Sequence, residues 1–133
     1  MRYERRIQRS AKDVWQLVGA PERLHEWFPG IISSVVEGTT RSIVTGAGIP
    51  MPEEILVNDA NQMRFQYRVT SPLLHFHRGS IDVIELAEQE CLVVYTTDAD
   101  PRTMALVIGG AAAEALDELQ RQMELSSIDR GNH

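Results

Sequence analysis

The sequence predicts an α+β fold in which a curved, seven-stranded antiparallel sheet and a long C-terminal helix enclose a cavity. Three observations support this prediction. One strand-like segment is followed at once by two short helical segments, six more strand-like segments come next with short turns between them, and the chain closes with an amphipathic helix. Strands joined by short turns usually pair as neighbours. A sheet of that size curls, and a helix across its open side leaves enclosed space.

The first strand and the two short helices are predicted from alternation and from helix-start signals. Residues 3–9 alternate in character and end at Ser10, which together with Asp13 resembles a capping box with a shorter acid. A short apolar helical face follows. A second helix is predicted over residues 22–27, because Pro21 suits the start of a helix. The two helices should form a corner between the first strand and the rest of the sheet.

Six further segments have the length and composition of strands, and Gly, Pro, Asn and acidic residues mark the turns between them. The segments are residues 32–37, 41–45, 53–58, 62–70, 75–86 and 91–97. The connection Gly46-Ala47-Gly48-Ile49-Pro50 combines two glycines with a proline, which suits either a mobile gate over the cavity or a plain hairpin connection.

Residues 100–125 are predicted to form the closing helix. Apolar residues recur there at intervals of three and four, at Met104, Ile108, Ala111, Ala115, Leu119 and Met123. Residues 103–113 carry no charge and include Gly109-Gly110, each of which costs about 1 kcal/mol relative to Ala inside a helix. Either these glycines leave room for a cavity, or they kink the helix or let it approach the sheet closely.

Size and charge limit the classes of function. The 133 residues suit one domain, 1–133, with an ordered core at about 1–125 and a polar tail at 126–133. A net charge of −6 argues against nucleic-acid binding, and the basic residues Arg2, Arg5, Arg6 and Arg9 suit an exposed strand edge. The single cysteine, Cys91, excludes an intrachain disulfide, and we expect it to be a buried packing residue. Since no membrane-length apolar run or secretion signal is visible, a soluble cytoplasmic protein without stable membrane insertion is expected.

Four sequence blocks resemble the START-like, helix-grip (SRPBCC) superfamily. They are IQRSAKDVWQLV, PERLHEWFPGIISSVVEG, FQYRV and ALDELQRQME, which together extend over nearly the whole chain. Polyketide cyclase/dehydrase-like proteins, pollen-allergen-like carriers and lipid-transfer domains belong to this superfamily. The resemblance implies a seven-stranded sheet gripping the C-terminal helix, with an apolar pocket between them. It leaves the activity open, because the superfamily contains carriers, receptors, cyclases and protein-binding modules.

Strand alternation predicts which side chains face the cavity, because residues two apart share a face. Phe65 and Tyr67 should point inward, and Ile81 would carry His75 and His77 inward unless a bulge at Gly79 reverses the register. Residues 91–97 leave the face of Val93 and Tyr95 and that of Leu92 and Val94 nearly balanced. The predicted ligand-binding set is Trp27, Arg41, Ile55, Phe65, Tyr67, Ile81, Tyr95, Met104, Ile108, Ala111, Ala112 and Ala115.

Glu53, His75, His77 and Tyr67 form a candidate catalytic set. A carboxylate beside an imidazole suits proton transfer, and Tyr67 or Tyr95 could stabilise a developing enolate or phenolate oxygen. Each residue also has a plainer interpretation: Glu53 as a solvated strand-end acid, the tyrosines as core aromatics, the histidines as strand-edge residues. The spacing of His75 and His77 also suits two metal ligands, but no dedicated acid or histidine cluster accompanies them, so we predict neither a metal nor a cofactor.

Three functions are compatible with the sequence. The favoured one is binding of a small apolar ligand, such as a lipid, an isoprenoid or an aromatic polyketide, in the cavity. The second is a cofactor-independent cyclase or dehydratase that uses the candidate catalytic set in the same cavity. The third is a protein-interaction module in which the final helix and the loop 46–52 contact a partner. The uncharged helix half is also compatible with a homodimer.

Overall fold

A computed structural model describes the backbone of residues 1–131 and the side chains of residues 1–125. The elements in chain order are β1 (Arg2–Ile7), α1 (Ala11–Val18), a 3₁₀ turn (Pro21–Arg23), α2 (Leu24–Trp27), β2 (Ile31–Glu37), β3 (Thr40–Thr45), β4 (Pro50–Asp59), β5 (Arg64–Val69), β6 (Phe76–Ala87), β7 (Glu90–Asp100) and α3 (Arg102–Gly131). The strands form one antiparallel sheet of seven in the order β1-β7-β6-β5-β4-β3-β2. The predicted fold class, a curved sheet with two short helices and a long closing helix, is confirmed.

The corner after β1 forms as its helix signals predict. The Ser10 hydroxyl accepts a hydrogen bond of 3.1 Å from the Asp13 amide, which caps α1. A cap of this kind stabilises a helix by about 1 kcal/mol. The buried face of α1, which includes Val14 and Leu17, packs into the core, and Trp27 of α2 is buried beside it. These helices therefore fill the space inside one end of the sheet.

Alternation decides the faces of the central strands. Phe65, Tyr67 and Val69 of β5 are buried, whereas Arg64 and Arg68 are exposed, as predicted. In β7 the nearly balanced choice resolves to the face of Cys91, Val93, Tyr95 and Thr97, all of which are buried. Burial raises the pKa of the Cys91 thiol to about 11, so Cys91 is a protonated packing residue at neutral pH.

The closing helix packs on β7 and β1 through Ala112, Ala115, Leu116 and Leu119, which are fully buried. Gly109 faces Met1, and a side chain added at Gly109 would overlap the Met1 side chain. Gly110 is exposed and has open space around it. The glycines therefore do not make room for the cavity, and close approach between helix and sheet is the explanation that fits Gly109.

The helix also runs further than predicted, from Arg102 to Gly131 rather than ending near Leu125. The side chains of the predicted polar tail, residues 126–133, lie outside the described part of the structure. Leu106 and Val107 are exposed. Both lie on the uncharged half of the helix, which is the surface that the homodimer prediction concerns. Among the described residues, no helix is long and apolar enough to cross a membrane.

Candidate functional site

A cavity of about 380 Å³ lies between the inner face of the sheet and the first half of α3. Its walls are Leu24, Phe28, Pro29, Gly30, Ile31, Ile43, Thr45, Met51, Glu53, Tyr67, Val69, His77, Tyr95, Met104, Val107, Ile108 and Ala111. Val107 and Gly30 line the cavity and are also exposed, so the cavity opens to solvent on that side. Its size lies within the range of small-molecule binding pockets. Most of its walls are apolar, and polar side chains meet at the sheet side.

Glu53 is one of these polar side chains, and the sheet register pairs it with Arg41 across β3 and β4. The Arg41 Nε donates to a Glu53 carboxylate oxygen at 2.6 Å, and the two side chains are only 2% and 4% exposed. The Arg41 guanidinium also lies over the rings of Phe65 and Tyr67, 5.2 and 5.1 Å from their centroids. Burial raises the pKa of Glu53, and the positive charge of Arg41 opposes that rise. Arg41 itself lies behind the cavity wall and holds the carboxylate in place.

Tyr67 and Tyr95 form a second polar pair in which one hydroxyl hydrogen-bonds the other. Tyr67 stands opposite Gly79 in the register of β5 and β6, and a side chain added at Gly79 would overlap the Tyr67 ring. Gly79 therefore gives Tyr67 the space that it occupies. Burial raises the pKa of both phenols, so both tyrosines are neutral at physiological pH.

His77 also lines the cavity. At neutral pH its ring is uncharged, and its one basic nitrogen is already hydrogen-bonded. Its Nδ1 accepts a hydrogen bond of 2.9 Å from the Val69 amide, which places the proton of the neutral ring on Nε2. Burial lowers the pKa of His77 to about 4, and the negative charge of Asp98 opposes this shift without cancelling it. Among the described residues, the buried Nε2 has no hydrogen-bond partner.

The predicted inward position of His75 is wrong. His75 precedes β6, its side chain is 78% exposed, and its Nδ1 lies 3.7 Å from Asp100. Within residues 1–125, Glu53 and His77 make no hydrogen bond to each other, because Glu53 pairs with Arg41 and His77 with the Val69 amide, although both line the cavity. Glu53, for which a solvated strand-end position seemed the simpler interpretation, is instead buried.

The predicted ligand-binding residues divide into two groups. Tyr67, Tyr95, Met104, Ile108 and Ala111 line the cavity. Trp27, Arg41, Phe65, Ile81, Ala112 and Ala115 are instead buried in the packed part of the interior, and Ile55 is partly buried beside a register shift in β4. Alternation identifies the inward face of a strand, but it does not say how far along that face the helices fill the interior.

Several wall residues were not in the predicted ligand-binding set. They come from the corner (Leu24, Phe28, Pro29, Gly30, Ile31), from β3 and β4 (Ile43, Thr45, Met51), and from β5 and α3 (Val69, Val107). Alternation could have added Ile43 and Val69, which lie two residues from Arg41 and Tyr67. The corner residues follow no period that strand alternation detects. No group of three or more metal-ligating side chains occurs in the part of the chain that the structure describes.

The segment predicted as a gate forms a short hairpin connection between β3 and β4. The Gly48 amide donates to the Thr45 carbonyl at 2.8 Å, and the Thr45 amide donates to the Ile49 carbonyl at 3.0 Å. The Gly46 amide donates to the carbonyl of Gly30, a cavity residue, at 2.8 Å. These bonds favour the hairpin interpretation and tie the connection to the rim of the cavity.

Comparison with solved structures identifies the same fold in several proteins. An uncharacterized protein from Bacillus thuringiensis is 22% identical and aligns with a TM-score of 0.85 over 92% of this chain and 97% of its own. A START superfamily protein from Mycobacterium smegmatis is 13% identical, with a TM-score of 0.78 over 94% and 97%. Norcoclaurine synthase from Thalictrum flavum, in complex with dopamine and hydroxybenzaldehyde, is 16% identical, with a TM-score of 0.71 over 92% and 84%. At these identities the similarity shows the fold alone.

Comparison of sequences identifies the family. No curated protein matches the chain. The family described as polyketide cyclase / dehydrase and lipid transport matches residues 1–124, which is nearly the full length. This match agrees with the strand order, the closing helix and the enclosed cavity. The chain therefore belongs to the polyketide cyclase / dehydrase and lipid transport family.

Proposed function

We propose that this protein binds a small, largely apolar ligand, such as a lipid, an isoprenoid or an aromatic polyketide, in the cavity between sheet and α3. The observation that carries the proposal is the cavity of about 380 Å³, most of whose walls are apolar side chains. Each CH₂ group that a ligand buries there contributes about 0.8 kcal/mol. The two charges nearest to it, on Glu53 and Arg41, neutralise each other. Such a cavity favours neutral apolar molecules.

The comparisons support this proposal at the level of the family. The description of the family includes lipid transport, and the norcoclaurine synthase structure of the same fold holds two small aromatic compounds. Neither fact identifies the ligand of this chain. Native mass spectrometry of the protein purified from its own host cells would detect a small molecule retained in the cavity.

A matched pair of variants tests the location of binding. Ala111 lines the cavity, whereas Ala113, on the same uncharged half of α3, does not. Ala111→Phe fills part of the cavity and should weaken binding of a neutral fluorescent probe, N-phenylnaphthylamine, by at least about tenfold, because a ligand and a new ring cannot share the space. Ala113→Phe should leave the affinity within about twofold. Equal effects of the two substitutions would place the binding elsewhere.

A second candidate function is proton transfer next to a carbonyl group, as a cyclase or dehydratase requires. It is favoured by one observation: Glu53, whose pKa is raised by burial, lines the same cavity as the hydroxyl pair Tyr67–Tyr95. Glu53 would remove a proton from the carbon beside the carbonyl, and a tyrosine hydroxyl would stabilise the enolate oxygen that forms. The structure favours no such role for His75 or for His77, one of which is exposed and the other bound through Nδ1.

Hydrogen–deuterium exchange tests this candidate without knowledge of the natural substrate. Methyl naphthyl ketone has exchangeable methyl protons beside its carbonyl, and their loss in deuterated buffer is followed by proton NMR. An enzyme of this type should accelerate the exchange, and Glu53→Gln should abolish the acceleration. Wild-type protein that binds the ketone without accelerating exchange would leave ligand binding as the function.

A further inference from the structure

We infer that the cavity selects a ligand whose polar group is a neutral hydrogen-bond acceptor, such as a ketone, aldehyde or quinone oxygen, and that the pair Tyr67–Tyr95 donates to it. This selectivity rests on the ligand-binding function proposed above and adds the chemical class of the ligand to it. It follows from the number of protons on the pair and from the charges around it.

The hydroxyl pair has one proton more than its own hydrogen bond uses. Two neutral phenols carry two O–H protons, and the bond between Tyr67 and Tyr95 takes one of them. Whichever tyrosine donates, the accepting hydroxyl keeps a proton that is free to point elsewhere. Within residues 1–125, neither hydroxyl has a second partner. Because both tyrosines are buried and both line the cavity, a ligand oxygen there can accept this proton.

The groups around the pair offer a ligand no unpaired charge. The Glu53 carboxylate is bound by Arg41, so the two charges cancel. The Nδ1 of His77, the only acceptor atom on its neutral ring, is occupied by the Val69 amide. A ligand ammonium or carboxylate would therefore enter a mostly apolar cavity without a counter-ion, which is strongly unfavourable.

The position of the donor is fixed by the sheet. The Tyr67 ring occupies the space above Gly79 and lies beside the Arg41 guanidinium, while Tyr95 is opposite Ile81 on the neighbouring strand. A hydroxyl that already accepts a hydrogen bond is a stronger donor than an isolated one, because the two bonds polarise each other. The pair should therefore orient a carbonyl ligand as well as retain it.

Three probes of the same shape separate these chemistries. Methyl naphthyl ketone has an acceptor, isopropenylnaphthalene replaces that oxygen by a carbon, and naphthylethylamine carries a positive charge at neutral pH. Isothermal titration calorimetry on the wild-type protein should show the ketone binding about fivefold to tenfold more tightly than the alkene, and the amine binding most weakly. The infrared C=O band of the bound ketone should shift to lower frequency than the band of the same ketone in hexane.

Phenylalanine substitutions locate the donor. Tyr67→Phe combined with Tyr95→Phe should lower the ketone-to-alkene ratio severalfold and move the C=O band most of the way back to its position in hexane. The unpartnered Nε2–H of His77 is the donor that remains near the cavity in this variant. Each single substitution leaves one hydroxyl without its polarising neighbour, so each should keep a ketone preference with a smaller band shift. Should the double variant fail to fold, the single variants alone carry this test. Tyr3→Phe is the matched control, because its hydroxyl contacts Met1 and does not line the cavity.

The outcomes distinguish this inference from the function on which it rests. Equal affinity of the wild-type protein for ketone and alkene would overturn the carbonyl selectivity and leave apolar ligand binding intact. A ketone preference or band shift that survives unchanged in the tyrosine variants would overturn the role of the pair. If neither neutral probe binds to the wild-type protein, the proposed ligand-binding function fails, and the selectivity fails with it.

Discussion

Glu53 and Glu54 show how two adjacent residues of the same type can have opposite environments. Glu53 is buried against Arg41, whereas its neighbour Glu54 pairs with the exposed Arg68. Neighbouring strand residues point to opposite faces of the sheet. One of the two carboxylates therefore lies in the low-dielectric interior and the other in water. Residue type does not reveal this difference, because the two acids are identical and consecutive in the sequence.

Replacing either acid with glutamine tests that contrast. Glu53→Gln leaves the buried Arg41 guanidinium without its counter-ion and should lower the free energy of unfolding by about 3–5 kcal/mol. Glu54→Gln breaks an exposed pair and should cost less than about 1 kcal/mol. Urea denaturation of the two variants measures both values. Similar losses in the two variants would contradict the buried position of Glu53.

His77 makes a pH-dependent contribution to stability whose sign follows from its environment. Its pKa is lowered from 6.5 to about 4 in the folded protein, because burial disfavours the charged ring. Above pH 6.5 the ring is neutral in both states and no stability is lost. As the pH falls from 6.5 to about 4, the unfolded chain takes up a proton that the folded protein does not, so stability decreases. Below that window no further loss arises from His77.

His77→Asn isolates this contribution, because an asparagine oxygen can take the place of Nδ1 and accept from the Val69 amide without titrating. We expect the free energy of unfolding of the variant to fall less steeply than that of the wild-type protein between pH 6.5 and pH 4. Denaturation curves at several pH values across this window measure the difference. Parallel curves for the two proteins would show that His77 does not titrate as its burial requires.

At the scale of elements, α3 illustrates what a pattern predicts and what it leaves open. The apolar period of three and four identified the helix, and its uncharged half was correctly associated with the cavity through Met104, Ile108 and Ala111. The glycine pair was harder to interpret, because a missing side chain is equally compatible with a void and with a close contact. The distinction depends on Met1, which is more than a hundred residues away in the chain and lies against Gly109.

Alanine substitutions at the two glycines should therefore have different effects. Gly110→Ala adds a methyl group in open space and should stabilise the protein by up to about 1 kcal/mol through helix propensity. Gly109→Ala places the same group against Met1 and near the Tyr3 hydroxyl, so the gain should be absent or reversed. Thermal denaturation of both variants provides the comparison. An equal gain at both positions would mean that the Met1 side chain moves aside without a cost in stability.

For the molecule as a whole, the fold could be predicted and the site only in part. Local signals such as the cap at Ser10, the alternation around Tyr67 and the period of α3 each decide an element, and together they give the architecture. The site depends on which sections of the inward face the helices leave uncovered. Trp27 and Phe65 lie on covered sections, and Val107 lies at the opening. Which parts of the inward face the helices cover depends on how the folded elements pack together, and no local sequence pattern predicts it.

Ligand binding should be visible in the stability of the whole protein. A compound that binds the folded cavity and not the unfolded chain adds about 2.7 kcal/mol at roughly one hundred times its Kd. Methyl naphthyl ketone should therefore raise the melting temperature of the wild-type protein in proportion to the logarithm of its concentration. The same concentrations should shift Ala111→Phe much less than Ala113→Phe, as calorimetric scans can show. Equal shifts in both variants would indicate adsorption outside the cavity.

The interior is packed solid at the end beneath α1 and open at the end beneath the first turns of α3. The packed end of the sheet therefore provides stability, and the other end provides the cavity. Substitutions around the cavity can change which ligand binds while the packed end keeps the protein folded. A scaffold arranged in this way can acquire new chemistry by small steps, each of which costs little of what keeps it folded.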